Sequence, residues 1–232
     1  MVDLDFNDYA KIPAFKLKGA VVICYYSAGT IEDYREDYAQ KKEAWDQISL
    51  KAMGEWPDER WLDLSKFEQL KALMKPRLDY AKTNGCDGVE PEKVDCYLFP
   101  EECFSLFGNG QGFTQQEARA LQIQYNKWTV EYAHSIGLIV GLKNAGDIVN
   151  ELVDLYDFSV VESCYKWKEC GTYSPFIQRG KPVFAVEYQA LSSKACAEVT
   201  KLGIQIKHCV AGADGNICTQ ALKNCPYSYT GK

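Results

Sequence analysis

The chain reads as an α/β protein, and within that class as a (β/α)8 TIM-type barrel. Two observations predict it. About eight short β-rich segments recur along the 232 residues, and helical stretches part most of them. Alternating βα units of this kind make a parallel sheet with right-handed crossovers. No Gly-rich phosphate loop follows any of these segments, Ser27-Ala-Gly29 being too short to form one. An open doubly wound sheet is the alternative arrangement. No linker or composition shift divides the chain, so a single domain over residues 1–232 is expected.

The elements follow in order. Val2-Asp-Leu-Asp-Phe6 alternates apolar and acidic residues and is the first candidate strand. Ala20 to Ser27 is the clearest strand, an unbroken β-branched and aromatic run closed by Gly29. Trp61 to Leu64 is a short apolar strand, after which Ser65 and Glu68 have the spacing of a capping box. The helix they open runs over Lys66 to Lys82 and holds Pro76, a candidate kink or break. Gly85 to Tyr97 then reads as a strand entering an acidic loop. Cys96 to Phe113 carries Gly108, Gly110 and Gly112 without periodicity and is expected to be irregular. Thr114, with Glu117 three residues on, caps a helix reaching about Ser135, with Ala118, Leu121, Tyr125, Trp128 and Tyr132 at helical spacing. Strands at Leu138 to Leu142, Phe158 to Val161, Pro182 to Val186 and Ile204 to Val210 alternate with helices at Ile148 to Tyr156 and Ser192 to Leu202. A Gly/Asn/Cys-rich tail ends the chain.

Composition removes several function classes. The net charge is −6, and no basic cluster exceeds Lys41-Lys42. Neither nucleic acid nor an anionic membrane is an expected partner, whereas a cationic polymer suits the charge. Aromatics make up 13%, a supply of flat apolar surface for sugar rings or for the core. Ten cysteines without any Cys-x-x-Cys spacing, beside only two histidines, fit disulfides in an oxidising compartment better than a metal site. Neither metal nor other cofactor is expected. Cys96–Cys103, Cys164–Cys170 and Cys209–Cys218 are short enough for local loops, and Cys24 is either bonded or a buried thiol. The first residues lack a signal peptide's basic and apolar regions, so a mature or trimmed form of a secreted protein is expected.

Chemistry-bearing residues collect where strands end. Four carboxylates, Asp87, Glu90, Glu92 and Asp95, fall within nine residues. Asp5, Ser27, Asp63, Lys143-Asn144, Glu162 and Glu187-Tyr188 occupy other strand exits. In a barrel these exits form one rim, where such folds keep their chemistry. Carboxylates, a lysine and aromatics without a His-based triad suit glycoside hydrolysis, in which one carboxyl protonates the leaving oxygen and another attacks or activates water. Simpler readings stand beside these. The acidic stretch doubles as a solvated turn, Lys143 as the partner of a neighbouring acid, Asp147 as a helix-start residue, and His134 as a structural contact. Trp56 and Trp61 are as much core as sugar platform. His208 and Cys209 are strand neighbours that point to opposite faces, which argues against a dyad.

Taken together, ordered motifs resemble a known family. They are Val22-Ile-Cys-Tyr-Tyr-Ser-Ala-Gly29, Glu32-Asp-Tyr-Arg35, Trp56-Pro, Glu59-Arg-Trp-Leu-Asp63, Arg77-Leu-Asp79, Gly85 to Tyr97, Gly141-Leu-Lys-Asn144, Glu162-Ser-Cys164 and Val186-Glu-Tyr188. The chain is similar over nearly its whole length to glycoside hydrolase family 114, the endo-α-1,4-polygalactosaminidases. The resemblance implies a (β/α)8 barrel that cuts α-1,4-linked galactosamine polymers, such as galactosaminogalactan, with retention. It implies the carboxylate pair Glu92, as nucleophile, and Glu162, as general acid/base. Rim contacts are implied at Tyr25, Asp63, Lys143, Asn144 and Glu187, beside Asp5, Ser27, Glu90 and Tyr188 from the strand-exit pattern. The expected partner is thus a cationic amino-sugar polysaccharide, bound by a monomer. The chain departs from the family in three places. The usual Asp-Asn is Glu92-Lys93, the Cys96 to Phe113 loop is longer, and the first family strand is lacking or modified. A catalytically weak or inactive relative that binds carbohydrate without cleaving it is the rival expectation.

Overall fold

The structure is a computed structural model that describes residues 1–54, 56–189, 191–209 and 225. The chain forms two compact units, Met1–Gly141 and Leu142 onward.

The first unit holds strands β1 (Val2–Asp5), β2 (Val22–Ser27), β3 (Thr30–Glu32), β4 (Ser49–Ala52), β5 (Glu59–Leu62) and β6 (Gly88–Glu92), with the start of β7 (Ile139–Lys143). β1, β2, β6 and β7 pair in parallel in that order. β2 is buried on both faces, which is why its sequence is a continuous apolar run rather than an alternation. Register aligns Tyr25 with Glu90 and Ser27 with Glu92, so the polar ends of β2 and β6 stand side by side. Cys24 is bonded to Cys86, which settles its state as a disulfide.

Two expectations are corrected here. The Trp61 to Leu64 segment supplies β5, which pairs antiparallel with β3 and β4 in a separate three-stranded sheet and is no member of the parallel run. β3 and β4, only three and four residues long, had no recognisable period in the sequence. The capping box at Ser65 and Glu68 does not form. Asp63 Oδ1 captures both the Ser65 N–H at 3.0 Å and its hydroxyl at 2.5 Å, an Asx-type turn that outcompetes the cap. The helix starts instead at Phe67, with Lys66 at the cap position, and runs unbroken through Pro76 to Thr83.

The second long helix, Gln115–Ser135, does open with the Thr114/Glu117 capping box. Its buried face lies partly off the expected stripe. Ala118 and Tyr125 are buried as expected, but so are Gln122, Asn126 and Thr129, while Leu121, Trp128 and Tyr132 are half-exposed.

In the second unit β8 (Phe158–Glu162), β9 (Val183–Glu187) and β10 (Gln205–His208) run parallel in that order. The end of β7 lies along β8: the Asn144 N–H donates to the Val160 carbonyl at 2.9 Å, and the Ser159 hydroxyl to the Leu142 carbonyl at 3.0 Å. Ser192 caps the helix Ser193–Lys201 through the Ala195 N–H. Further disulfides join Cys96–Cys103, Cys164–Cys170 and Cys196–Cys225. The expected partner Cys218 lies outside the described residues. No helix among the described residues is long and apolar enough to cross a membrane.

Candidate active site

Glu92 ends β6 and is buried. Its carbonyl accepts the N–H groups of Ala28 and Gly29 at 2.9 and 3.1 Å, which fastens the exit of β6 to the turn after β2. The next residue, Lys93, turns the chain with φ 61°, a left-handed conformation that Asn tolerates better than Lys. Gly29 makes this approach possible. A Cβ there would lie 1.7 Å from the Lys93 carbonyl oxygen.

Around Glu92 the first unit carries a polar cluster that the motif list contained without a role for each member. Ser27 and Thr30 share a short hydroxyl–hydroxyl contact, and the Thr30 hydroxyl donates to Glu59 Oε1 at 3.2 Å. Burial pushes the Glu59 carboxyl above the usual range; Lys93 opposes the shift, and Glu32 and Glu92 reinforce it. Arg35 is buried and grips two carboxylates, donating to Asp5 at 2.6 and 2.7 Å and to Glu32 at 2.5 and 2.8 Å. Arg77, also buried, donates to the Ser27 carbonyl at 2.7 Å and to Asp37 at 2.6 and 3.1 Å. A buried guanidinium needs this degree of pairing. Partners forty residues apart leave no local spacing by which a sequence would reveal them.

Several expected rim residues therefore have internal work. Asp5 is the partner of Arg35. Asp63 is fully buried, and its second oxygen accepts the Gly108 N–H at 2.9 Å, anchoring the long loop after β6. Asp87, at the other end of β6, accepts from Lys16 and the Val22 N–H at 2.9 Å each. Glu90 is buried on the same strand as Glu92. Trp61 belongs to the core and packs against Phe99 with the rings tilted, whereas Trp56 is exposed.

The second unit brings three expected residues onto one carboxylate. Glu162 ends β8 with its side chain 32% exposed. Asn144 donates to Glu162 Oε2 at 3.3 Å and accepts the Glu162 N–H at 2.9 Å. Lys143 Nζ, almost buried at the end of β7, stands 3.8 Å from the same oxygen. The Tyr188 hydroxyl donates to Glu162 Oε1 in a short hydrogen bond. Two flanking strand exits thus aim a cation and two neutral donors at Glu162, an arrangement that fixes its orientation. Glu187 is buried behind and accepts the Tyr165 N–H at 2.7 Å. Cys209 is disulfide-bonded, so no Cys–His dyad exists with His208.

Comparison with known proteins places the chain in a family. No curated protein matches the chain. Among solved structures, Ega3 of Aspergillus fumigatus in complex with galactosamine is 31% identical, with a TM-score of 0.72 over 92% of this chain and 84% of that one. The glycoside hydrolase domain of PelA from Pseudomonas aeruginosa gives a TM-score of 0.69 over 93% and 89%, and at 14% identity the likeness is one of fold alone. The family profile for glycoside hydrolase family GH114 matches residues 1–220, and the chain belongs to that family of glycoside hydrolases.

Proposed function

We propose that the chain is a secreted, monomeric enzyme that hydrolyses α-1,4-linked galactosamine polymers with retention, in a (β/α)8 barrel formed by the whole chain as one domain. The observation that carries the reading is the convergence of Asn144, Lys143 and Tyr188 on Glu162. Support also comes from the galactosamine bound by the 31% identical Ega3. Four disulfides among the described residues fit an oxidising compartment. The net charge of −6 suits a cationic polymer.

In the proposed mechanism Glu92 attacks the anomeric carbon while protonated Glu162 transfers its proton to the glycosidic oxygen, so that bond breaks and a glycosyl ester forms. Glu162, now ionised and held by its three donors, takes a proton from water. That water opens the ester and regenerates Glu92. Tyr25, Ser27, Glu90, Glu187 and Tyr188 are the further proposed substrate contacts. Asp5 and Asp63 act indirectly, through Arg35 and the Gly108 loop.

A carbohydrate-binding relative without activity is the second reading, favoured by Lys93, a cation beside Glu92 at the position of the family's Asn. Release of reducing ends from a galactosamine polymer tests both. Turnover by the wild type, loss on Glu162→Gln and Glu92→Gln, and an α-configured first product by NMR are expected. Binding without release, before and after Lys93→Asn, sinks the enzymatic reading.

A further inference from the structure

The buried polar residues of the helix Gln115–Ser135 lie against both segments that frame Glu92. On one side, the Cys96 N–H donates to Gln122 Oε1 at 3.1 Å, Gln122 Nε2 donates to Asn126 Oδ1 at 2.9 Å, and Asn126 Nδ2 donates to the Val94 carbonyl at 3.4 Å. On the other side, the Tyr125 hydroxyl donates to the Ala28 carbonyl at 2.9 Å. Ala28 and Gly29 in turn give their N–H groups to the Glu92 carbonyl. Gln122, Tyr125 and Asn126 are all fully buried.

A core-facing helix ordinarily fills such positions with apolar side chains, because each buried amide or hydroxyl must recover the hydrogen bonds it gives up to water. Here each recovers them from backbone on either side of Glu92, within four residues of it in the 94–96 segment and through one carbonyl contact in the 28–29 turn. Lys93 adopts a left-handed conformation between those anchors, so the exit of β6 has no regular ladder of its own beyond Glu92. Its position is set from outside the strand.

We propose that Gln122, Tyr125 and Asn126 are positioning residues that hold the Glu92 carboxyl in its reactive place by clamping the backbone that follows it and the Ala28–Gly29 turn that hydrogen-bonds its carbonyl. The proposal rests on the assignment of Glu92 to the reacting pair. Displacement of a reacting group by about 1 Å is enough to slow a reaction on the order of 100-fold. The clamp accordingly acts on turnover more than on substrate affinity.

Tyr125→Phe removes one hydroxyl and leaves the ring, and Gln122→Met removes the amide at nearly constant volume. Both are expected to lower kcat on a galactosamine polymer about 10-fold or more with KM within about twofold. Thr129→Val is the control. Thr129 is equally buried, but its hydroxyl returns to the Tyr125 carbonyl of its own helix, so kcat is expected to hold. Amide hydrogen exchange gives a reading that needs no turnover. Tyr125→Phe is expected to speed exchange at Ala28 and Gly29, and Gln122→Met at Cys96, with Val22 to Tyr26 unchanged. Unaltered exchange at those amides, or equal kcat loss in Thr129→Val, overturns the proposal. Full activity in Glu92→Gln overturns the catalytic assignment instead, and with it the clamp's purpose.

Discussion

Asn144 and Glu162 hold each other by two hydrogen bonds, one from the Glu162 N–H to the Asn144 side chain at 2.9 Å and one from Asn144 Nδ2 to the Glu162 carboxylate at 3.3 Å. The same Asn has φ 50°, so it serves the backbone as well as the carboxylate. Two substitutions separate those duties. Asn144→Gly keeps the left-handed turn and is expected to fold with near wild-type stability while losing on the order of 10-fold or more in kcat. Asn144→Ala is expected to lose the same activity and about 1 kcal/mol of stability besides, because its Cβ disfavours this conformation. Denaturant titration of the two variants checks the difference, and equal stabilities contradict it.

The contact between Gly29 and Lys93 sets a steric limit. Gly29→Ala places a methyl group 1.7 Å from the Lys93 carbonyl oxygen, where neither backbone has room to yield. A loss of about 3 kcal/mol or failure to fold is expected. A midpoint in guanidinium chloride within experimental error of wild type would show that the turn and the β6 exit are not packed as described.

Glu59 makes stability depend on pH in a stated direction. Burial raises its carboxyl pKa, with Lys93 opposing and Glu32 and Glu92 assisting. The folded state then binds this proton more tightly than the unfolded chain. Stability from this group falls as pH climbs from the unfolded value, about 4.3, through the raised folded value. Glu59→Gln removes the ionisable group and keeps an acceptor for Thr30. Its melting temperature relative to wild type is expected to be more favourable at pH 7 than at pH 4. A difference that does not change between the two pH values refutes the assignment.

The disulfides differ in what they contribute. Cys24–Cys86 spans 62 residues and Cys96–Cys103 only 7. Loop-closure entropy assigns them about 4 and about 2 kcal/mol respectively. Paired Cys→Ala variants are expected to unfold in that order under denaturant. Greater damage from losing the shorter bridge would mean that its loop, which carries Phe99 beneath Trp61, matters through packing instead.

Much of the architecture was legible in the chain. The apolar run of β2, the alternation of βα units, the Thr114/Glu117 cap and the strand exits at Glu92, Lys143, Glu162 and Glu187 are local patterns of hydrophobicity and capping chemistry. Such patterns act over four to ten neighbouring residues, so a single sequence displays them. The cap expected at Ser65 does not form because Asp63, two residues earlier, competes for the same donors. β3 and β4 leave no signature in the sequence because antiparallel pieces of three and four residues are stabilised by partners elsewhere in the chain, not by their own pattern.

The chain by itself determined which residue types stand at the ends of the parallel strands, since alternation and length set where each strand stops. Only the tertiary structure decided what each does there. Asp5 and Asp63 were indistinguishable from Glu162 as strand-end acids, yet Asp5 holds Arg35 and Asp63 holds the Gly108 loop, while Glu162 gathers Lys143, Asn144 and Tyr188. The physical reason is that a carboxylate's role is set by the donors within about 3–4 Å of its oxygens, and many of those donors come from residues tens of positions away.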